Sequence, residues 1–181
     1  MLALVGESGS GKSMTALSTL RLVPKPGRVT SGSVKLDGEE LLSLPVTEMR
    51  RIRGGRIGMI FQEPMTCLNP VVRVGAQVAE AILLHESMSK ADARSRAREL
   101  FAEVGIPDPE ERLDAYPHHL SGGLKQRVMI AMALSTRPEN ISRGLPNKNQ
   151  DTKHIFELCG MSGRHHPLVP DQIGALHVVA S

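Results

Sequence analysis

Short apolar runs and amphipathic stretches alternate along most of the chain and predict a mixed α/β fold. "LALVG" predicts a buried strand, and "KSMTALSTLRLV" predicts a helix that Pro24 and Pro26 end. "GRVTSGSVKLDGEEL" predicts a surface hairpin, and "TEMRRIRG" predicts a short basic helix. "RIGMIFQE" predicts a second strand, which Pro64 prevents from continuing.

A helical pattern begins near Val74. "VGAQVAEAILL" has apolar residues at helical spacing. "SKADARSRAREL" predicts a helix capped by Ser89, with Arg94 and Arg98 on a face that we interpret as solvated. A proline-rich connection, "VGIPDPEERLDAYPHH", leads to "LSGGLKQRVMIAMALSTR", a loop followed by a strongly apolar helix. After Pro138 no regular period survives, and the chain has no internal repeat.

Composition narrows the class of protein only modestly. The 181 residues suit one domain, or one domain with a subdomain, and a core built without Trp. The net charge of +3 is weak support for an acidic partner. Cys67 and Cys159 lack metal-ligand spacing and are interpreted as free thiols. The longest apolar run, "VMIAMAL", is far short of the ~20 residues that cross a bilayer, so we expect any membrane role to be peripheral.

The segment "GESGSGKS", from Gly6 to Ser13, has the pattern of a phosphate-binding loop between a strand and a helix. Its glycines let successive backbone N–H groups converge on a phosphate, and the helix that follows directs its positive dipole end to the same point. Lys12 supplies a full positive charge that can reach the β- and γ-phosphates, and the Ser13 hydroxyl suits Mg²⁺. The pattern predicts nucleotide binding without selecting a class of nucleoside triphosphatase.

Two more stretches carry chemistry when they are taken with this loop. Gln62 ends a predicted strand, where its amide could contact Mg²⁺ or water, although an ordinary turn residue is the alternative. In "HLSGGLKQR", Ser121 can cap a helix while Gly122 and Gly123 leave backbone N–H groups uncovered. This second helix start suits an anion, although a simple helix cap is the alternative.

In this order and spacing, "GESGSGKS", "FQEP" and "LSGGLKQR" resemble the ATP-binding subunits of ABC transporters. "FQEPMTCLNP" and "AYPHHLSGGLKQRVMIAMAL" are similar to the subunits that power bacterial uptake of dipeptides, oligopeptides and related solutes such as nickel or glutathione. The resemblance covers residues 1–139. Cys67, His119 and Leu124 stand where that subfamily usually has Ser, Gln and Met, and none of these departures removes a phosphate-contacting group.

The resemblance implies a P-loop NTPase fold of the ABC ATPase type, with an incomplete core sheet and an inserted helical subdomain. It implies segments at residues 1–70 (α/β core part), 71–137 (helical subdomain) and 138–181 (a divergent, poorly ordered tail). It also implies ATP and Mg²⁺ as cofactors, with Mg²⁺ at Ser13 and Gln62. The implied nucleotide-binding residues are Gly6, Glu7, Ser8, Gly9, Ser10, Gly11, Lys12 and Ser13 (Walker A), Gln62 (Q-loop), and Ser121, Gly122, Gly123 and Gln126 (signature motif).

In the family, two such subunits pair head to tail, and the signature of one closes over ATP held by the Walker A of the other. The resemblance therefore implies a second ATP-binding subunit and transmembrane permease subunits as partners. It places the chain peripherally at the cytoplasmic face of the inner membrane, with no nucleic acid partner. An ABC-type ATPase of DNA repair is the alternative, but it predicts a coiled-coil or zinc insertion between Gln62 and Ser121 that the sequence lacks.

The family pattern is interrupted after Glu139. The resemblance requires an apolar strand ending in Asp and then Glu, the Walker B element that holds Mg²⁺ and polarises water, but "NISRGLPNKNQ" follows instead. Asp171 in "HPLVPDQ" and His177 in "ALHVVAS" are poor substitutes for the Walker B acid and the switch histidine, and the other tail histidines are interpreted as solvated. We identify no catalytic residue. We expect a chain truncated at the front and diverted at the back, or alternatively a non-functional fragment or frameshifted product.

Overall fold

A computed structural model describes residues 11–60, 67–138, 140–143 and 177–179. The chain divides into two compact units, Met1–Arg53 with Arg164–Ser181, and Gly54–Gly163. These units group the residues differently from the three segments that the resemblance implies, and the boundaries of those segments stay predictions. The predicted strand "LALVG" lies outside the described residues.

The described part of the first unit has two helices and four short strands. The elements are α1 (Lys12–Thr19), β1 (Arg28–Ser31), β2 (Lys35–Leu36), β3 (Glu39–Glu40), α2 (Val46–Ile52) and, from the end of the chain, β6 (His177–Val179). Both helices form where the pattern predicts them, although α1 ends at Thr19, well before Pro24. The predicted hairpin is shorter than expected, because only β2 and β3 pair with each other, whereas β1 pairs antiparallel with β6.

The Glu40 carboxylate holds the hairpin of the first unit closed. It accepts hydrogen bonds from the Ser33 hydroxyl, from Val34 N at 3.0 Å and from Leu42 N at 3.1 Å. These bonds, led by the one from Ser33, hold the pKa of Glu40 below its ordinary value of 4.5. The buried apolar side chains in the described part of this unit are Leu20, Val34, Leu36, Leu41, Met49 and Ile52.

The second unit is mainly helical. Its elements are β4 (Ile57–Ile60), α3 (Val74–Leu83), α4 (Lys90–Glu103), α5 (Pro109–Leu113), a 3₁₀ turn (Pro117–His119), α6 (Gly122–Leu134) and β5 (Asn140–Arg143). The proline-rich connection thus contains a short helix and a 3₁₀ turn that its composition does not predict. The side chain of Ser89 caps α4 as predicted, because its Oγ accepts a hydrogen bond from Asp92 N at 3.1 Å.

The apolar faces of α3, α4 and α6 form one core in this unit. Val74, Val78, Phe101 and Val128 are each fully buried within it. Backbone approaches are close at Gly75, where an added Cβ would lie 2.6 Å from the Leu113 carbonyl oxygen. Because Gly75 has no side chain, α3 can approach the Leu113 backbone closely and pack at the density of a protein interior.

Strand β5 lies in the segment after Pro138, where the sequence has no regular period. It pairs in parallel with β4, and Ile57 is opposite Asn140 while Ile60 is opposite Arg143. The backbone forms this ladder although "NISR" has one apolar residue, Ile141, instead of the continuous apolar run typical of a buried parallel strand. Strand propensity depends strongly on context, which explains why the pattern does not reveal this strand.

Ion pairs connect α3, α4 and α5 on the outer surface. Arg94 Nη2 lies 2.9 Å from Asp114 Oδ2 and 3.2 Å from Glu110 Oε1, and Arg73 Nη1 lies 2.9 Å from Asp114 Oδ1. Arg98 Nε reaches Glu110 more weakly, at 3.9 Å. Arg94 and Arg98 are both exposed, as expected for a solvated helix face, and the short helix α5 adds acidic partners that the sequence pattern does not predict.

We expect Gly75→Ala to destabilise the second unit by about 1–2 kcal/mol, because a backbone oxygen at 2.6 Å cannot move aside as a side chain can. The measurement is the midpoint of urea unfolding followed by far-ultraviolet circular dichroism. Gly123→Ala is the matched control: its added Cβ meets nothing within 4 Å, and Ala in a helix is favoured over Gly by up to about 1 kcal/mol. An unchanged or raised midpoint for Gly75→Ala would contradict this packing.

The Arg94 guanidinium, and then that of Arg73, hold the pKa of Asp114 below its ordinary value of 3.8. The unfolded chain therefore binds this proton at higher pH than the folded one. The stabilisation is present above pH 3.8 and is lost as pH falls through the lower folded pKa. We expect the stability advantage over Asp114→Asn to be constant near neutral pH and to shrink in acid. Glu103→Gln, another exposed acid, is the control, and an advantage independent of pH would contradict the pairing.

Candidate functional site

Helix α1 begins at Gly11, within the predicted phosphate-binding loop. Gly11 has a φ angle of +86°, in the left-handed region that Gly adopts most easily, and its carbonyl accepts a bond from Thr15 N at 2.9 Å. No side chain of the described residues caps this helix, and its first turn has no acidic residue. Ser13 is exposed on that turn. A helix start of this kind offers backbone N–H groups and a positive dipole end to an anion.

The other end of α1 is fixed by a common helix-ending motif that has an uncommon residue at its left-handed position. Leu22 N donates to Leu17 O at 2.7 Å and Arg21 N donates to Ser18 O at 3.0 Å, which is the Schellman pattern. Arg21 takes the left-handed position of this pattern with a φ angle of 53°, where Gly is the usual residue. The half-buried Arg53 side chain donates from Nε to Leu20 O at 2.9 Å and from Nη2 to Arg21 O at 3.0 Å.

The charge of Arg53 at the end of α1 is subject to one favourable effect and to several unfavourable ones. Its positive charge is favourable beside the carbonyl end of the helix. Burial lowers the pKa of Arg53, and the charges of Arg21 and Arg50 lower the pKa further. Motif analysis of the sequence does not find this residue, because 33 positions separate it from Leu20.

Helix α6 begins at Ser121, the first signature residue. Ser121 Oγ accepts a hydrogen bond from Leu124 N at 3.3 Å, so the predicted cap is present. Gly122 and Gly123 are exposed, and no atom lies within 4 Å of a Cβ added to either of them. The hydroxyl of Ser121 still has its hydrogen to donate, and the first turn has no acidic residue. This helix start is both capped and open to an anion, and Gln126 lies half-buried one turn later.

A buried amide fixes the loop that precedes α3. Gln77, only 7% exposed, donates from Nε2 to Asn69 O at 3.0 Å and to Val72 O at 2.8 Å. Its Oε1 accepts a bond from Asn69 N at 2.9 Å. The amide therefore uses both of its hydrogens and its oxygen on one short loop, which follows the predicted Q-loop in sequence.

The predicted binding residues are only partly within the described chain. Gly6, Glu7, Ser8, Gly9 and Ser10 lie outside the described residues, as do Gln62 and the side chain of Lys12. Gly11 and Ser13 belong to the first unit, whereas the signature residues belong to the second, so each helix start stands as a separate element. Asp171 also lies outside the described residues, and His177 begins β6.

The predicted location of a Walker B strand coincides with a strand in the structure. Strand β5 begins at Asn140, directly after the "RPE" that the resemblance places before that element. Gly144 and Leu145 follow the strand in sequence, where the family pattern requires acidic residues. Among the described residues, no cluster of three or more His, Cys, Asp or Glu side chains could hold a metal ion. No described helix is long and apolar enough to span a bilayer.

A family model described as "ABC transporter" matches residues 1–141. The chain belongs to the ABC transporter family. It is 49% identical over 161 residues to the dipeptide transport ATP-binding protein DppD of Escherichia coli, covering 87% of this chain and 49% of that one. It is 50% identical over 161 residues to the oligopeptide transport ATP-binding protein OppD of Bacillus subtilis, covering 87% of this chain and 45% of that one. The chain thus spans less than half the length of these relatives.

Solved ABC cassettes have the same fold. The dimeric cassette MJ0796, a bacterial ABC transporter cassette, matches with a TM-score of 0.71 and 30% identity, over 84% of this chain and 64% of that one. The same cassette in a post-hydrolysis state bound to ADP and Pi matches with a TM-score of 0.67, 31% identity and coverage of 84% and 63%. These matches confirm the predicted P-loop NTPase fold of the ABC ATPase type.

We expect Ser121→Ala to lower the stability of the second unit by about 1 kcal/mol, because Leu124 N loses its cap acceptor. Ser121→Asp keeps an acceptor at this position and should retain the stability. The measurement is again the urea midpoint, with Ser87→Ala as the control at an exposed loop serine. Equal losses for the Ala and Asp variants would show that the hydroxyl does not act as a cap acceptor.

Proposed function

We propose that this chain binds Mg-ATP as an ATP-binding subunit of an ABC importer for peptides or related small solutes. The observation that carries the proposal is the open start of α1 at Gly11, in a segment that matches the phosphate-binding pattern through Ser13. Membership of the family supports the proposed role. The names of two relatives that are 50% and 49% identical to this chain support peptides as the class of solute. Gly6 to Ser13 would hold the phosphates, and Ser13 and Gln62 would contact Mg²⁺.

The two helix starts support a head-to-tail pair of subunits. The start of α6 offers a second set of exposed backbone N–H groups, at Gly122 and Gly123, to a phosphate bound by a partner subunit. A related cassette is known as a dimer, which favours the same assembly here. In this proposal the chain sits peripherally at the cytoplasmic face of the inner membrane, and its closure on ATP drives transmembrane permease subunits.

We further propose that the chain hydrolyses ATP slowly. Phosphoryl transfer depends on aligning the attacking water and stabilising charge at the γ-phosphate. Strand β5 occupies the predicted Walker B location, but its sequence and the residues after it, "NISRGL", offer no carboxylate for this role. We therefore expect this chain to bind ATP but to hydrolyse it slowly.

The second candidate is a fragment or frameshifted product without ATPase activity. The observation in its favour is the sequence after Glu139, which departs from the family pattern. The thermal unfolding of such a product would show no cooperative transition with a midpoint that rises when nucleotide is added. The coding DNA past Glu139 decides the origin of the tail, since an apolar strand ending in Asp-Glu in another frame would identify a frameshift.

We expect Mg-ATP at 100 times its dissociation constant to stabilise the chain by about 2.7 kcal/mol, and we expect Lys12→Ala to remove this effect. The measurement is the thermal unfolding midpoint with and without Mg-ATP. Lys90→Ala, an exposed lysine at the start of α4, is the matched control for lost charge. A midpoint that nucleotide leaves unchanged would overturn the binding proposal. Steady-state turnover at rates usual for the family, abolished by Lys12→Ala, would overturn the proposal of slow hydrolysis.

A further inference from the structure

Arg21, at the end of α1, is the strained point from which this inference starts. It holds a left-handed conformation, with a φ angle of 53°, that an L-residue other than Gly rarely takes. Such a residue persists only where its surroundings hold it in place. Here the surroundings are two guanidinium groups: that of Arg21 itself, whose Nη1 donates to Leu44 O at 2.5 Å, and that of Arg53.

Arg53 contacts the backbone of the strained residue directly. It donates to Leu20 O and to Arg21 O at 2.9 and 3.0 Å, so one planar group spans the last residue before the turn and the strained residue itself. Lys cannot copy a planar, two-pronged contact of this kind. The Leu20 side chain beside it is 2% exposed, so the end of the helix is fixed by packing as well as by hydrogen bonds.

Helix α1 is short enough for its two ends to move together. It has eight residues, and at a rise of about 1.5 Å per residue its ends are about 12 Å apart. Ser18 Oγ, Thr19 Oγ1 and Thr15 Oγ1 each donate to the carbonyl four residues earlier, so these hydroxyls bond within the helix itself. A rigid rod held at one end places its other end, and here that other end carries Gly11 and Ser13.

We propose that Arg53 is a positioning residue for the phosphate-binding end of α1. The inference deepens the proposed function and rests on it for the identity of the ligand. Arg53 does not contact the phosphates in this account. It fixes the helix from which the N–H groups of the first turn and the Ser13 hydroxyl are presented.

The experiment compares Arg53→Met, Arg53→Lys and the unchanged full-length chain. Arg51→Met is the matched control on α2, because the Arg51 side chain is 80% exposed and pairs with Glu48 on the same helix, at 3.3 Å. Amide hydrogen exchange is measured at Arg21 and Leu22, at the end of the helix, and at Thr15, whose amide bonds to Gly11. The dissociation constant of Mg-ATP is measured for each variant under conditions where all are folded.

The proposal expects faster exchange at both ends of α1 in Arg53→Met, together with a rise of about tenfold in the Mg-ATP dissociation constant. Arg53→Lys should recover part of both effects, and Arg51→Met should show neither. Faster exchange confined to Arg21 and Leu22, with unchanged ATP affinity, would overturn the proposal, since Arg53 would then be a local cap. If Arg53→Met does not fold, the same readings on Arg53→Lys decide.

The two proposals fail in different ways. If the unchanged chain does not bind Mg-ATP, the proposed function fails. The exchange rate of the Thr15 amide then decides the positioning role alone, because that measurement requires no nucleotide. If the unchanged chain binds Mg-ATP and Arg53→Met binds it equally well, the positioning role fails while the proposed function stands.

Discussion

Backbone N–H groups at the start of α1 are the feature on which the proposed chemistry depends. A helix leaves its first four N–H groups without partners inside the helix. Here no described side chain caps them, and Gly11 opens the turn with a φ angle of +86° that a side chain would strain. An anion supplies what the helix lacks, and the arrangement is useful only if the helix is held still. The bonds from Arg53 at its far end meet that requirement.

The start of α6 solves the same backbone problem differently. Ser121 caps one N–H group there, while Gly122 and Gly123 leave the surface around the cap without side chains. No described side chain caps the start of α1, whereas the start of α6 has one capped N–H group. This difference fits a site that is loaded at α1 first and covered by a signature motif afterwards. It also explains why substitution at Ser121 is expected to affect stability, whereas Lys12 is expected to matter mainly for the ligand.

Local features of this chain could be predicted from its sequence, and distant contacts could not. The caps at Ser89 and Ser121 depend on residues within a few positions of each other, whereas α1 ends at Thr19, earlier than the predicted stop at Pro24. The contact of Arg53 with Leu20 crosses 33 positions, and that of Arg94 with Asp114 crosses 20. The periodicity of apolar residues along the sequence does not predict such contacts. The predicted pattern for the phosphate loop is strong for the same reason as the caps, since all of its parts are adjacent in sequence.

Strand β5 explains why we expect ATP binding without fast hydrolysis. A parallel ladder is made by backbone groups, so "NISR" pairs with β4 in a regular register although its side chains differ from the family pattern. Water activation depends on a carboxylate at one position, and no backbone group replaces it. A chain can therefore form the strand without having the carboxylate that activates water at the end of that strand. In the proposed function, phosphate binding at α1 depends on backbone N–H groups and on Lys12, which all precede Glu139 in the sequence, and so we expect binding to survive although the sequence departs from the family pattern after that residue.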